Sequence, residues 1–352
     1  MKRILLFIFI ISIFALLWKK FEIITIRAAG QPTSTGVIQT QFEEPFFNSL
    51  AMKSQLPINI IYRPINETGF KDDYELRLMK ENLIDLVSLR FIQNQTSAPV
   101  LTGMDIPGVS LNIYTSRLIS KNFSPYVDEI LQQDFNVKLL STFSFGSQEL
   151  FCKNPIYGIK ELKGLKIRVG GDYLKSLLTE IGAITKVIDF QNTFIALENG
   201  DIDCAISSWA SADSANWFKY LKFNAPIPLG IGINGYVIRL NIWNQLSSGE
   251  RNRLQNSFDA LSDAQWNYII EEQQKRSMIC KSENNKCQFS INTPQVIKWT
   301  KEDLQKIQNI ALRTLINNWF AECNIGHPNC EAEWNKKVAP YIGKEEITQG
   351  KL

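Results

Sequence analysis

An α/β fold in two lobes, with mixed but mostly parallel sheets and a long C-terminal helical region, is predicted by three observations. Between Glu161 and Trp209, apolar strand patterns alternate with helical ones in the order strand, helix, strand, helix, strand. That alternation is the mark of a parallel α/β sheet. The same alternation stands earlier, from Phe21 to Leu89, and from Ser247 onward the spacing becomes that of long amphipathic helices. At 352 residues the chain is long enough for two separately cored lobes. The expected division is lobe 1 at 21–143 and 231–250, lobe 2 at 144–230, a helical region at 251–342 spanning both, and a frayed tail at 343–352.

The elements follow in order. Phe21–Arg27 is an apolar strand running into a small-residue loop at Ala28–Gly36, and helical text extends from Gln39 to Lys53. A strand is expected at Ile58–Tyr62, a helix at Glu75–Glu81, and a buried strand at Leu83–Leu89 whose end carries Ser88 and Arg90. Gly103–Val109 is a Pro/Gly turn cluster, and Leu118–Phe135 returns to helix. In the second unit Leu165, Ile167 and Val169 point to one face of a strand while Lys166 and Arg168 point to the other. Asp172 then opens a helix through Ile181 with Gly182 just past its end. Thr185–Phe190 reads as a strand, Asn192–Asn199 as a helix, and Ile202–Ile206 as an apolar strand. Ile231–Leu240 is a strand that carries the chain back to the first lobe. It is followed by a helix to Met278 with Leu254, Phe258, Leu261, Trp266 and Ile269 at helical spacing, and by another at Lys301–Phe320.

The N-terminus points to export. Lys2 and Arg3 precede the apolar run Ile4–Trp18, broken only by Ser12 and ended by Lys19 and Lys20. As a helix this run spans ~22 Å, short of the ~30 Å hydrocarbon core of a bilayer, so residues 1–20 read as a signal peptide. An N-terminal anchor is the alternative, since a small-x-small cleavage site is missing. Cysteine usage agrees with an oxidising compartment: Cys280 and Cys287, and Cys323 and Cys330, are each separated by six polar, turn-prone residues. Each pair can close a local disulfide. Cys152 and Cys204 lie in apolar contexts and read as buried thiols, with mutual pairing left open. A net charge of +3 with dispersed basic residues argues against nucleic-acid binding.

In open parallel sheets a ligand binds beyond the carboxyl ends of the strands. Here those ends are Arg168–Gly170, Asp189–Phe190 and Ser207, Ser208 and Trp209, which bring together a guanidinium fork, two hydroxyls and an aromatic wall. The planar fork of Arg168 matches a carboxylate, and Gly170-Gly171 leaves room for close approach to the backbone. The bland alternative pairs Arg168 with Asp189 or Asp203 as structural glue, Trp209 being core filler. Against catalysis stands the lack of a kit. There is one histidine, His327, in a Cys-flanked loop, and no G-x-S-x-G, H-E-x-x-H or phosphate loop. No cofactor, metal ligand or catalytic residue is expected.

The run ELKGLKIRVGG at 161–171, the following Ile181-Gly182-Ala183 and the turn Ala196–Asp203 resemble the substrate-binding proteins of tripartite ATP-independent periplasmic (TRAP) transporters. So do Asp105–Gly108 and the segment GINGYVIRLNIWNQLS at 232–247, and the resemblance covers about residues 22–320. It implies a two-lobed periplasmic-binding-protein-like clamshell that captures a small organic carboxylate and delivers it to integral membrane permease subunits. It further implies that Arg168 salt-bridges the carboxylate, with Ser207 or Ser208 adding a hydrogen bond. Where several members carry a second arginine, the stretch Phe143–Leu150 offers Gln148 instead. That departure points to a singly anchored anion held partly by Phe145 and Trp209, with Asn234 of the second crossover completing the set. Lobe closure is expected about crossovers near Thr142–Phe145 and Ile231–Asn234. The competing readings are a ligand-sensing module for a membrane receptor and an exported enzyme acting on a carboxylate.

Overall fold

The computed structural model describes residues 23–282 and 293–342, apart from positions 72, 111 and 228. The signal or anchor at 1–20, the Cys280–Cys287 pairing and the tail at 343–352 lie outside what is described. Along the chain come β1 (Ile24–Gly30), α1 (Glu44–Ser54), β2 (Ile58–Pro64), β3 (Leu86–Leu89), α2 (Ile113–Phe135) and β4 (Val137–Ser144). Next are β5 (Glu149–Cys152), β6 (Lys166–Val169), α3 (Asp172–Ile181), β7 (Ile184–Val187), α4 (Thr193–Glu198), β8 (Cys204–Ser207), α5 (Trp209–Ser214) and β9 (Phe223–Ala225). The chain closes with β10 (Ile233–Arg239), α6 (Ser248–Ser282), β11 (Gln295–Val296), α7 (Lys301–Ile310), α8 (Ile316–Gly326) and α9 (Cys330–Lys337).

Two sheets make the two lobes. The first has the order β2-β1-β3-β10-β4, with β1 parallel to β2 and β3, and β10 antiparallel to both β3 and β4. The second has the order β11-β9-β5-β8-β6-β7, with β6 parallel to β7 and β8, and β5 antiparallel to β8 and β9. The end of β4 overlaps the crossover expected near Thr142–Phe145, β5 follows it, and β11 adds a strand within the segment expected to be helical.

Local chemistry explains the elements around the site. In β6 the two-residue period sends Ile167 and Val169 into the large core and Arg168 to the other face, between Phe190 and Trp217. Helix α3 ends where Gly182 adopts φ +100°, so its N–H caps the carbonyls of Leu178 and Thr179. Helix α6 binds lobe 1 through Trp266 Nε1 and Ser262 Oγ, which both donate to the carbonyl of Thr142, and through Gln255 Nε2, which donates to that of Leu140.

The cysteines differ from one expectation. Cys323–Cys330 forms a disulfide as its spacing predicts, whereas Cys152 and Cys204 are bonded to each other rather than buried as thiols. They sit directly opposite on β5 and β8, with Cα atoms 4.1 Å apart, although 52 residues separate them in sequence.

Candidate functional site

Both crossovers between the lobes run side by side at the mouth of the site. Phe145 N donates to Gly232 O at 3.1 Å and Gln148 N to Gly230 O at 2.8 Å, while Ser144 Oγ donates to Ile231 O at 2.6 Å. Asp105, of the Asp105–Gly108 turn, accepts from the backbone N–H groups of Ile231, Gly232 and Ile233 at 2.8, 2.7 and 3.2 Å. Burial pushes the Asp105 carboxyl up from its ordinary range, and these three donors oppose the shift by favouring the charged form. The turn, read in the sequence as a Pro/Gly cluster and a resembling motif, thus pins the returning strand to lobe 1.

A cavity of about 50 Å³ lies between the lobes just inside these crossovers. Arg168, Gln148, Phe145, Ser207, Ser208 and Asn234 all line it. Arg168 is only 3% exposed. Its Nε donates to the carbonyl of Ile188 at 2.8 Å and its Nη1 to that of Ile206 at 3.0 Å, and its guanidinium lies 5.9 Å from the Phe190 ring and 5.5 Å from that of Trp217. The carbonyls come from the chain just past β7 and from β8, so two strand ends hold the fork in place. Asp203, one of the two alternative partners, has an oxygen accepting the backbone N–H of Lys166 at 2.9 Å. Gln148 Nε2 donates to Gly146 O at 3.0 Å, and Asn234 Oδ1 accepts from Phe91 N at 3.0 Å. The Ser208 hydroxyl caps α5, accepting from Ser211 N at 3.3 Å and donating to Ser211 Oγ at 2.9 Å.

Two expectations change. Trp209 does not line the cavity; it packs against Phe151 and Phe218 in the second core, and the guanidinium of Arg276 lies 5.3 Å from its ring. It points away because it is the first residue of α5 and turns with that helix into the apolar face of β5. The lining also includes a second arginine, Arg90, with Thr35, Ile92 and Gln93 beside it, all from lobe 1. Arg90 is buried at the end of β3, and its backbone N–H donates to Glu75 Oε2 at 2.8 Å. The signal was present in the sequence, because β3 is a parallel strand and the crevice rule that selects Arg168 selects its terminal arginine equally. The reading of a single arginine followed from searching one loop, Phe143–Leu150, and the lining adds Arg90 from the opposite lobe.

Gly170 lines the cavity, as the close-approach reading requires. Gly171 serves another purpose: a Cβ there would come within 2.6 Å of Ile92 Cγ2 and 3.1 Å of its carbonyl oxygen, so the missing side chain lets the lobes touch. Among the described residues no group of three or more His, Cys, Asp or Glu is arranged to hold a metal ion.

Comparison with known proteins places the chain in a family. Residues 33–314 match the family model of the bacterial extracellular solute-binding proteins, family 7. A curated relative, the sialic acid-binding periplasmic protein SiaP of Vibrio cholerae, is 21% identical over 301 residues, covering 85% of this chain and 89% of its own. Among solved structures, a TRAP periplasmic solute-binding protein of Desulfovibrio desulfuricans with bound sn-glycerol-3-phosphate superposes with a TM-score of 0.76 at 18% identity, over 92% of this chain and 98% of that one. A TRAP protein of Desulfovibrio salexigens with bound orotic acid gives 0.77 at 14% identity, over 90% and 99%. A Bordetella pertussis extracytoplasmic solute receptor binding pyroglutamic acid gives 0.76 at 14%, over 88% and 99%. With the family match spanning most of its length, the chain belongs to the bacterial extracellular solute-binding proteins of family 7, and it is a binding protein rather than an enzyme.

Proposed function

We propose that the protein captures a small organic carboxylate between its lobes in the periplasm and delivers it to the membrane subunits of a TRAP-type permease. The observation that carries this is Arg168: a guanidinium buried at a strand end, oriented by two backbone carbonyls, on the wall of a cavity between the lobes. A guanidinium fork held in place by backbone carbonyls is a geometric match for a carboxylate. Arg168 takes the carboxylate. Gln148, Ser207 and Asn234 orient the remaining polar atoms, and Phe145 covers an apolar part of the ligand. Arg90, on the facing lobe, favours a ligand with a second anionic or strongly polar group over a singly anchored one. The three solved neighbours named above carry glycerol phosphate, orotate and pyroglutamate, all small organic anions. Closure brings the lobes together because the ligand contacts both, and its differential affinity for the closed state supplies the driving energy.

The test is a thermal-shift screen of the purified full chain against mono- and dicarboxylates, sugar acids and small phosphates, followed by calorimetry on the hits. At least one anion raises the melting temperature in wild type and fails to do so in Arg168→Lys. A screen in which only neutral or cationic solutes stabilise the protein overturns the reading.

A further inference from the structure

A second cavity, about 490 Å³, opens on the molecule away from the crossovers and is far larger than the cleft at Arg168. That volume lies within the range of small-molecule sites. Three bodies wall it. Lobe 1 gives Ala98–Val100 and Ile130 with Asp134, lobe 2 gives Asp172 and Tyr173 from the start of α3, and α8 gives Glu322 and Ile325 with His327 just past its end. Glu322, Ile325 and His327 all lie beyond residue 314, where the family match stops, and the Cys323–Cys330 disulfide closes the loop that holds His327.

The chemistry of the lining is one-sided. Asp134, Asp172 and Glu322 contribute three carboxylates, and neither lysine nor arginine lines the cavity. Asp134 Oδ2 is 2.9 Å from His327 Nε2, and Glu322 Oε2 accepts from the Tyr173 hydroxyl at 2.6 Å. Gln95 is a further polar residue of the lining. It is 6% exposed, its side chain makes no hydrogen bond among the described residues, and it borders the cavity. A bound polar group reaching this amide gains a hydrogen bond that the described protein residues do not supply. Ala98, Pro99, Val100 and Ile130 supply an apolar wall beside it.

We infer that this cavity is a second ligand site, for a small organic cation carrying an ammonium or guanidinium head on a short apolar body. The head meets Glu322 and Asp134, with the amide oxygen of Gln95 available as a further acceptor, while the body lies on Pro99, Val100 and Ile130. A cation so placed bridges α2 of lobe 1 to α8. Because the site shares no lining residue with the Arg168 cleft, it stands whether or not the anion reading holds.

The probe is agmatine, titrated by calorimetry into the full chain at low salt, with 1,6-hexanediol as an uncharged control of similar length. Agmatine binds wild type and Arg168→Ala alike, and the diol does not bind. In the double variant Asp134→Asn, Glu322→Gln, affinity falls by about tenfold or more, the scale of a single charge-assisted hydrogen bond. Both substitutions keep a hydrogen-bonding oxygen for His327 and Tyr173, and an unchanged melting temperature shows that the variant folds. Gln95→Leu, which fills the same space without the amide, weakens binding as well. No heat with agmatine, equal binding of the diol, or an affinity indifferent to the double variant overturns the proposal. A double variant that does not fold is replaced by mapping amide shifts in wild type, where changes at Gln95 and Ile325 support the site and their absence sinks it.

Discussion

Arg168 donates from Nη1 to the carbonyl oxygen of Ile206 at 3.0 Å, one residue before Ser207. The guanidinium on β6 is therefore registered against the strand end that carries the neighbouring serines. The register β6–β8, with Arg168 paired to Ala205, produces this relationship, and the Cys152–Cys204 disulfide ties β8 on its other side to β5. Arg168→Ala removes both the anion's partner and the donor for two carbonyls. Ligand affinity is expected to drop by about 3 kcal/mol, roughly a hundredfold, with a smaller loss of stability. Arg168→Lys keeps the charge but not the fork and is expected to lose affinity while melting close to wild type. Calorimetry with the ligand found by screening checks both, and wild-type affinity in Arg168→Ala rules the assignment out.

Asp105 holds three backbone N–H groups of the returning crossover. Asp105→Ala strands those donors in a buried setting and is expected to cost about 3 kcal/mol. Denaturant midpoints at constant m-value report it, and an unchanged midpoint would show that water replaces the carboxylate without loss.

Glu43 is buried beside Gln31 N, Tyr62, Ser88 and Tyr236, and desolvation pushes its carboxyl up to about 7 despite the hydrogen bonds that favour the charged form. The folded value is above the unfolded one, so the native state binds more protons between about pH 4.5 and pH 7. Its contribution to stability is full below pH 4.5, declines as pH rises to about 7, and is constant above, a difference of about 3 kcal/mol. Glu43→Gln removes that slope. The stability difference between variant and wild type therefore grows in favour of the variant across this window; a difference independent of pH contradicts the titration.

Arg276 extends from α6, a helix bound to lobe 1, to lobe 2, where its Nη1 is 3.3 Å from Glu149 Oε1 and its guanidinium lies over Trp209. Separating α6 from lobe 2 would break this pair, so its loss is expected to favour the open state. Arg276→Ala is expected to raise the ligand dissociation rate about tenfold, equivalent to about 1.4 kcal/mol, with little change in association. Stopped-flow tryptophan fluorescence measures both rates. An effect confined to association would point to steering instead of latching.

Much of the chain was determined by its sequence alone, because the informative signals are local. The two-residue period of β6, Gly182 past α3 and the apolar helix face at Leu254–Ile269 each act within a few residues, and they predict the α/β elements and the strand-end position of Arg168. Tertiary structure alone decided what meets across the fold. Arg90 reaches the cleft from 78 positions before Arg168 because the first sheet aims β3 at the second. Cys152 finds Cys204 through strand register, Trp209 turns into the core with α5, and Gln95 and Glu322 line one cavity made by three separate bodies. Such pairings depend on the relative placement of packed elements, which the periodicity of any one segment does not encode.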